Sequence, residues 1–302
     1  MIFVADKIVP IVTPFDDDKL SSEKLKHHAA ALLEEGMDCI FLCGSTGLGP
    51  ALTYEERVTT LESLRDISEN VIFQVGTLDL SESLRLAELA KKYKVKAISA
   101  YPPYYFPRIP TDWLVKYFVK ISKVYPLLLY NFPLTTGYDI TSDVAKKIIN
   151  SGGDIIGVKD TVNDISHMLS FKWEIGENFL VYSGPDSMIL PALRSKLDGV
   201  IAGSANYATE LVVRLFEDIQ SENAFAIQRL ITELTIVARK YGQWSANYAM
   251  SKMLRNYDVG EPRPPIFPLS GEDIEKMKED VRNCLSHTRR ETSDLLKHFA
   301  IR

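Results

Sequence analysis

The chain contains few cysteines, no excess of basic residues and no long apolar run, and each absence excludes a class of protein. Three cysteines among 302 residues are too few for a disulfide framework, which favours a reducing compartment. Lys and Arg number 35 against 40 for Asp and Glu, so the basic footprint of a nucleic-acid-binding protein is missing. No apolar run reaches the roughly 18 residues that a membrane span needs. We therefore expect neither a nucleic-acid partner nor a membrane partner.

The chain also lacks the pattern of a signal peptide and the spacing of a metal site. Residues 1–6 show no basic leader followed by an apolar segment, so we expect a cytoplasmic protein. The five histidines show no zinc-ligand spacing. No cluster of His, Asp and Glu follows the apolar runs, which argues against a metal-dependent barrel enzyme. We expect no metal and no other cofactor.

Eight short apolar runs indicate the fold class. They lie at 8–12, 39–43, 71–75, 95–100, 127–130, 155–158, 179–182 and 199–202. Their continuous apolar character is typical of strands that are buried on both faces of a parallel sheet. The spacers have helical apolar periodicity, with Ser22 and Thr53 as candidate helix caps. Eight strand–helix units predict an α/β fold, the (β/α)8 TIM barrel.

The alternative to a barrel is a doubly wound sheet, in which a Gly-x-Gly-x-x-Gly turn often follows the first strand. Residues 13–16 contain no such turn. After residue 205 the strand pattern stops, and residues 208–256 and 270–299 have helical patterns on either side of a proline-rich connection at 260–265. We therefore divide the chain into barrel core strands and helices at 1–205, and a last barrel helix with a C-terminal helical extension at 206–302.

The active site of a barrel lies at the carboxyl ends of its strands, and two polar residues there suggest carbonyl chemistry. Lys159 follows the sixth run, where burial disfavours the ammonium and frees an amine that can form a Schiff base. The structural alternative is an ion pair, for example with Asp160. Tyr130 ends the fifth run and could relay protons beside Lys159, because neighbouring strands end side by side. Its structural alternative is an aromatic plug of the barrel mouth.

Other strand ends offer binding groups. Gly44-Ser45-Thr46-Gly47 combines consecutive N–H groups with two hydroxyls and could hold a carboxylate, or could be a simple turn. Asp186 could bind substrate hydroxyls or cap the next helix. The aromatic loop at 101–108 suits a lid or a subunit contact. A non-catalytic barrel is a further alternative.

Three motifs stand in the order of a known superfamily: GSTG at 44–47, YNFP at 130–133 and GVKD at 157–160. Together they resemble the pyruvate-dependent class I aldolases, which include N-acetylneuraminate lyase and dihydrodipicolinate synthase. The resemblance covers essentially the whole chain. The longer matches at 44–50, 104–108 and 263–269 are similar to the archaeal 2-keto-3-deoxygluconate aldolases of Entner–Doudoroff pathways.

The resemblance implies a mechanism without metal or cofactor. Lys159 would form a Schiff base with 2-keto-3-deoxygluconate, and Tyr130 would take the C4 hydroxyl proton as the substrate splits into pyruvate and glyceraldehyde. Thr46 would link Tyr130 to Tyr105 from a neighbouring subunit of a homotetramer. The implied substrate-binding residues are Gly44, Ser45, Thr46, Asn131, Phe132, Thr161, Gly184, Asp186, Arg108 and Arg239.

Departures from the family pattern concern the substrate. Dihydrodipicolinate synthase has an arginine where this chain has Thr135, and an unpaired substrate carboxylate in a closed site is costly. Of the four phosphate contacts of aldolases that accept the 6-phosphorylated substrate, two arginines are retained, whereas the tyrosine is Phe132 and the serine is Gln243. We expect a preference for the non-phosphorylated substrate. The alternatives are a bifunctional aldolase, dihydrodipicolinate synthase and N-acetylneuraminate lyase.

Overall fold

A computed structural model describes residues 5–106, 108–255 and 257–288. Its strands are β1 (Asp6–Pro10), β2 (Phe15–Asp16), β3 (Lys19–Leu20), β4 (Cys39–Leu42), β5 (Val71–Gln74), β6 (Ala97–Ala100), β7 (Leu127–Asn131), β8 (Ile155–Asp160), β9 (Leu180–Ser183) and β10 (Gly199–Ile201). Its helices are α1 (Ser22–Glu34), α2 (Tyr54–Ser63), α3 (Leu80–Tyr93), α4 (Thr111–Ser122), α5 (Pro133–Thr136), α6 (Ser142–Asn150), α7 (Ile165–Ile175), α8 (Ile189–Arg194), α9 (Ala205–Glu217), α10 (Asn223–Lys240), α11 (Gln243–Leu254) and α12 (Gly271–Thr288).

All strands except β2 and β3 form a closed parallel barrel, in the order β1-β10-β9-β8-β7-β6-β5-β4. This confirms the TIM barrel and excludes the doubly wound sheet. Side chains alternate across each strand. Leu128 and Tyr130 of β7 belong to the cluster inside the barrel, whereas Leu127 and Leu129 pack against the surrounding helices. Because both faces are buried, the strands are continuously apolar.

Several predicted bounds differ from the structure by one to three residues, and two of the differences have a visible cause. The first strand is β1, which ends at Pro10 rather than at residue 12, because the Val12 N–H bonds to the side chain of Asn206 instead of to a neighbouring strand. The cap of α1 is Ser21, not Ser22, since Ser21 is the last residue with extended backbone. Thr53 is confirmed as a cap, and its hydroxyl accepts from the Glu56 N–H in a reciprocal capping box.

A short β2–β3 hairpin was not predicted. Its two-residue turn, Asp17 and Asp18, has positive φ at both positions, and this is the backbone of a tight hairpin turn in which Asp is tolerated. The hairpin lies beside the C-terminal extension, because the Phe15 N–H donates to the Glu261 carbonyl at 3.1 Å. Residues 260–265 are non-helical, as expected.

The extension packs on the barrel beside the carboxyl ends of the strands. The Tyr248 hydroxyl of α11 donates to the Thr13 carbonyl at 2.8 Å, and the Ser251 hydroxyl donates to the Asn206 carbonyl at 3.0 Å. The last predicted helix begins at Gly271 and is described to Thr288; the rest of the predicted range, to 299, lies outside the described residues. In the part of the chain that is described, no helix is both long and apolar enough to cross a membrane. None of the three cysteines is in a disulfide.

Candidate active site

A cavity of about 620 Å³ opens at the carboxyl ends of the strands. Its wall includes Ser45, Thr46, Tyr130, Phe132, Lys159, Thr161, Gly184, Asp186, Arg239, Gln243, Trp244 and Asn247. A second cavity of similar volume lies outside the barrel, between α9 and the C-terminal end of α11, and its lining contains no lysine. Of these two cavities, the first brings the candidate nucleophile together with candidate binding groups.

Lys159 is almost completely buried, with 4% of its surface exposed. Its Nζ lies 4.1 Å from the ring centre of Tyr130 and 4.4 Å from that of Phe41. Burial lowers the pKa of Lys159 to about 7, and the Asp186 carboxylate opposes this shift only in part. The neutral amine needed for attack on a carbonyl is therefore abundant near neutral pH.

The ion pair considered as an alternative for Lys159 is wrong. Asp160 points away from the barrel interior, because successive residues of β8 face opposite sides. Its carboxylate pairs with His167 at 2.6 Å and accepts from the Asn131 side-chain amide at 3.1 Å. Among the described residues no carboxylate forms an ion pair with Lys159, whose amine remains free for chemistry.

Tyr130 stands directly opposite Lys159 in the register between β7 and β8. Its hydroxyl lies 3.1 Å from the Ser45 hydroxyl, and burial raises the pKa of Tyr130 to about 12. The predicted link to Thr46 is not formed inside this subunit. The Thr46 hydroxyl faces Gly203 instead, 3.9 Å from where a Cβ on Gly203 would lie. Ser45 is therefore the hydroxyl that bonds Tyr130.

The loop that follows β4 presents a free amide donor to the cavity. A Cβ on Gly49 would lie 1.9 Å from the Cys43 carbonyl oxygen, so only glycine allows the loop to close this tightly. The Gly49 N–H donates to the Gly44 carbonyl at 2.9 Å. The Ser45 N–H bonds to the Tyr130 hydroxyl, whereas in the ranges that the structure covers the Thr46 N–H has no protein acceptor, and both residues line the cavity. The Thr46 N–H and the two hydroxyls are suited to binding a carboxylate.

Polar groups also line the opposite wall. Asp186 is buried, and its carboxylate accepts from the Ser204 N–H at 2.9 Å and from the Ser204 hydroxyl at 2.6 Å. The helix-capping alternative for Asp186 is therefore wrong, because its bonds go to the loop after β10. Burial raises the pKa of Asp186. Within the described residues, no three His, Cys, Asp or Glu side chains are grouped so that they could hold a metal ion.

The arrangement matches a known family. The model of the "Dihydrodipicolinate synthetase family" matches residues 4–284. The chain belongs to this family. It is accordingly a class I lyase of the Schiff-base type, the mechanism characteristic of family members.

Relatives of this chain include archaeal aldolases. The chain is 42% identical over 284 residues to the 2-dehydro-3-deoxy-phosphogluconate/2-dehydro-3-deoxy-6-phosphogalactonate aldolase of Sulfurisphaera tokodaii, with 92% of this chain and 96% of that protein covered. It is 33% identical over 287 residues to the 2-dehydro-3-deoxy-D-gluconate/2-dehydro-3-deoxy-phosphogluconate aldolase of Thermoproteus tenax, covering 93% and 92%. A solved 2-keto-3-deoxygluconate aldolase from Sulfolobus solfataricus, in complex with D-KDPG, superposes with a TM-score of 0.91 at 40% identity and covers 97% and 99% of the two chains.

Some of the residues predicted for the site do not line the cavity. Asn131 is a correction: its amide group bonds to Asp139 and Asp160, and its oxygen accepts from the Ile140 N–H. The alternation of β7 directs Asn131 outwards because Tyr130 points inwards. Gly44 lies against the Phe41 ring and is not among the residues that line the cavity.

Two further predicted residues, Tyr105 and Arg108, lie on the loop between β6 and α4. They do not line the cavity of their own subunit. Tyr105 is 72% exposed, and Arg108 has positive φ. The role of Tyr105 across a subunit contact and the role of Arg108 in substrate binding stay predictions.

Several residues that contact the site were missed, and two of them bond to the loop that follows β4. The Trp244 indole N–H of α11 donates to the Ser45 carbonyl at 2.9 Å. The buried Arg57 of α2 donates to the Gly49 carbonyl at 2.6 Å. The sequence contained one signal for Arg57, which is a cationic residue on the same helix face as the apolar Leu61. Trp244 gave none, because the sequence did not show where the extension packs.

Proposed function

We propose that this chain is an aldolase that cleaves 2-keto-3-deoxygluconate to pyruvate and glyceraldehyde, in an Entner–Doudoroff-type pathway, through a Schiff base on Lys159. The observation that carries this proposal is the pairing of Lys159 with Tyr130, in register and inside one cavity. The substrate comes from the names of the relatives, since archaeal aldolases for this compound and its phosphate cover nearly the whole chain.

The chemistry begins with attack of the Lys159 amine on the C2 ketone. Loss of water gives an iminium, which draws electrons from the C3–C4 bond. Tyr130 is protonated near neutral pH because its pKa is about 12. It can therefore accept the C4 hydroxyl proton only while passing its own proton on, to the substrate carboxylate or through the Ser45 hydroxyl beside it. Glyceraldehyde leaves, the enamine takes up a proton at C3, and hydrolysis releases pyruvate and regenerates the amine.

In this proposal the substrate carboxylate is held by the free N–H of Thr46 and by the hydroxyls of Ser45 and Thr46. Thr161, Gly184 and Asp186 face the rest of the sugar chain. This arrangement needs no cation next to the carboxylate, and it lets a protein of net charge −5 bind an anion through local donors.

A preference for the non-phosphorylated substrate is part of the proposal. Phe132 and Gln243 both line the cavity where phosphate-binding relatives have hydroxyls. A bifunctional enzyme is the second candidate, because Arg239 also lines this wall and the relatives are named for phosphorylated substrates. A comparison of kcat/KM for the two substrates decides between them. Thr135, also on the wall, offers no charge for the second carboxylate that dihydrodipicolinate synthase must bind.

We further propose a cytoplasmic homotetramer in which Tyr105 reaches the site of a neighbouring subunit. The exposed aromatic rings of Tyr105 and Phe106 support a protein contact at this loop. Light scattering coupled to size-exclusion chromatography tests the assembly; a monomer at micromolar concentration would contradict it.

The test of the function is reductive trapping. Wild-type protein is treated with borohydride and pyruvate and analysed by intact mass and peptide mapping, and we expect one adduct, on Lys159. Lys159→Arg should lose the adduct and the activity, because a guanidinium does not form the imine. Lys172→Arg is the matched control, since Lys172 is also buried but is paired with Asp198 at 2.6 Å. An adduct on another lysine, or none, would overturn the assignment.

A further inference from the structure

Helix α11 places an aromatic residue against the loop that follows β4. Trp244 is the second residue of α11 and lines the cavity, and its indole N–H donates to the Ser45 carbonyl at 2.9 Å. The helix is held in place around it. The Ser245 hydroxyl donates to the Phe267 carbonyl at 2.6 Å, and the Tyr248 hydroxyl donates to the Thr13 carbonyl at 2.8 Å. The indole therefore approaches the loop from a fixed direction.

The Ser45 carbonyl and the Thr46 N–H belong to one planar peptide unit. A donor that holds the carbonyl oxygen fixes the plane and, by polarising the amide, strengthens the N–H on its other side. The Ser45 oxygen accepts from Trp244 and also from the Leu48 N–H at 3.0 Å. The Thr46 N–H has no acceptor among the described residues, so it is a fixed and polarised donor at the cavity wall.

The strength of the Thr46 N–H as a donor matters because few cationic side chains line the cavity. The cationic side chains on the cavity wall are Lys159 and Arg239, and Asp186 adds a buried carboxyl group. Lys159 is the nucleophile, so a 2-oxo acid bound through its carboxylate near residues 45–46 depends on neutral N–H and O–H donors. Each neutral hydrogen bond contributes modestly, and its geometry decides how much.

We propose that Trp244 is a positioning residue that orients the Thr46 N–H towards the carboxylate of a 2-oxo acid substrate. This inference rests on the proposed function. The ligands that would be bound in this way are carboxylates with an adjacent ketone. The role of Trp244 is separate from imine formation, because its indole N–H bonds to the loop and not to the Lys159 amine.

The test compares two ketones of similar size, one with a charged carboxylate and one with a neutral amide beside the ketone. Pyruvate and its neutral amide, pyruvamide, are trapped on Lys159 by borohydride over a range of concentrations. Trp244→Phe keeps an aromatic ring but removes the N–H. We expect the half-saturating pyruvate concentration to rise about three- to tenfold, as for one neutral hydrogen bond, with less than about a twofold change for pyruvamide. Trp173→Phe, at a tryptophan that is 70% exposed on α7, is the matched control.

Equal losses for both ketones, or no loss for pyruvate, would overturn the role of Trp244 while leaving the Schiff-base function intact. Failure of the wild type to form any Lys159 adduct would overturn both. If the Trp244→Phe variant does not fold, a second measurement that keeps Trp244 tests the inference. In a Trp113→Phe/Trp173→Phe protein, Trp244 is the only fluorophore of its kind, and saturating pyruvate should shift its emission; an unchanged spectrum would contradict the inference.

Discussion

The buried amine of Lys159 should lower the stability of the folded chain, and the cost can be worked from its pKa. The pKa falls from an ordinary value of 10.5 to about 7 because of burial. At about 1.4 kcal/mol for each pKa unit, this shift corresponds to roughly 5 kcal/mol of unfavourable free energy when the group is charged. Replacing the amine with an apolar side chain of similar length, Lys159→Met, should recover most of it.

The recovered stability should depend on pH with a definite sign. Below pH 7 the lysine is protonated in both states, and the folded chain carries the whole cost. Between pH 7 and 10.5 the unfolded chain binds more protons than the folded chain, so wild-type stability rises with pH. The gain from Lys159→Met is therefore about 5 kcal/mol at pH 6 and about 2 kcal/mol at pH 9.

Urea denaturation at equal protein concentration, at pH 6 and at pH 9, measures this difference if both proteins have the same m-value. Packing of the new methyl group adds the same amount at both pH values, so only the difference between them is diagnostic. Lys172→Met is the control and should destabilise, because it leaves the Asp198 carboxylate without its ion-pair partner. A gain that is equal at the two pH values would refute the reasoning.

Three further outcomes are expected. Tyr130→Phe should lower kcat by at least about 100-fold, while borohydride still traps pyruvate on the amine; loss of trapping would show that the hydroxyl also serves imine formation. Phe132→Tyr should raise kcat/KM for the 6-phosphorylated substrate by roughly tenfold, with little change for the unphosphorylated one, and steady-state assays of both substrates test it. Asp139 and Asp160 raise the pKa of His167 to about 10, so its contribution to stability is complete below pH 6.5 and is lost as the pH rises through 10. His167→Gln should therefore cost more stability in urea melts at pH 6 than at pH 10.5, and an equal cost would contradict this role.

The barrel and its reactive pair were predictable because both follow from repetition. Strands buried on two faces produce continuous apolar runs, and eight runs leave few alternatives to a closed barrel. Lys159 and Tyr130 end neighbouring runs, so a parallel sheet must bring them to one edge. The register between β7 and β8 places the two residues directly opposite each other, as this reasoning predicts.

The errors arose where side-chain direction decides. Asn131 lies inside a motif that resembles the family, yet the alternation of β7 turns it away from the cavity. Which of the neighbouring Ser45 and Thr46 bonds Tyr130 depends on loop dihedral angles, which a run of small residues leaves open. Trp244 lies 199 residues from the carbonyl it holds. No local pattern reveals such a contact, because it depends on how the extension packs on the barrel.

Among the described residues, Lys159 forms no ion pair and the loop at residues 44–49 contributes no cationic side chain to the cavity wall. These two absences have a common explanation. An acid next to the amine would raise the pKa of Lys159 and keep it protonated, which would slow attack on the ketone. Once the imine forms, its nitrogen is cationic inside a buried site and needs a negative partner. The substrate supplies one, since its carboxylate is attached to the carbon that carries the imine. Neutral donors at Ser45 and Thr46 can hold that carboxylate without cancelling its charge, so it remains available to stabilise the iminium.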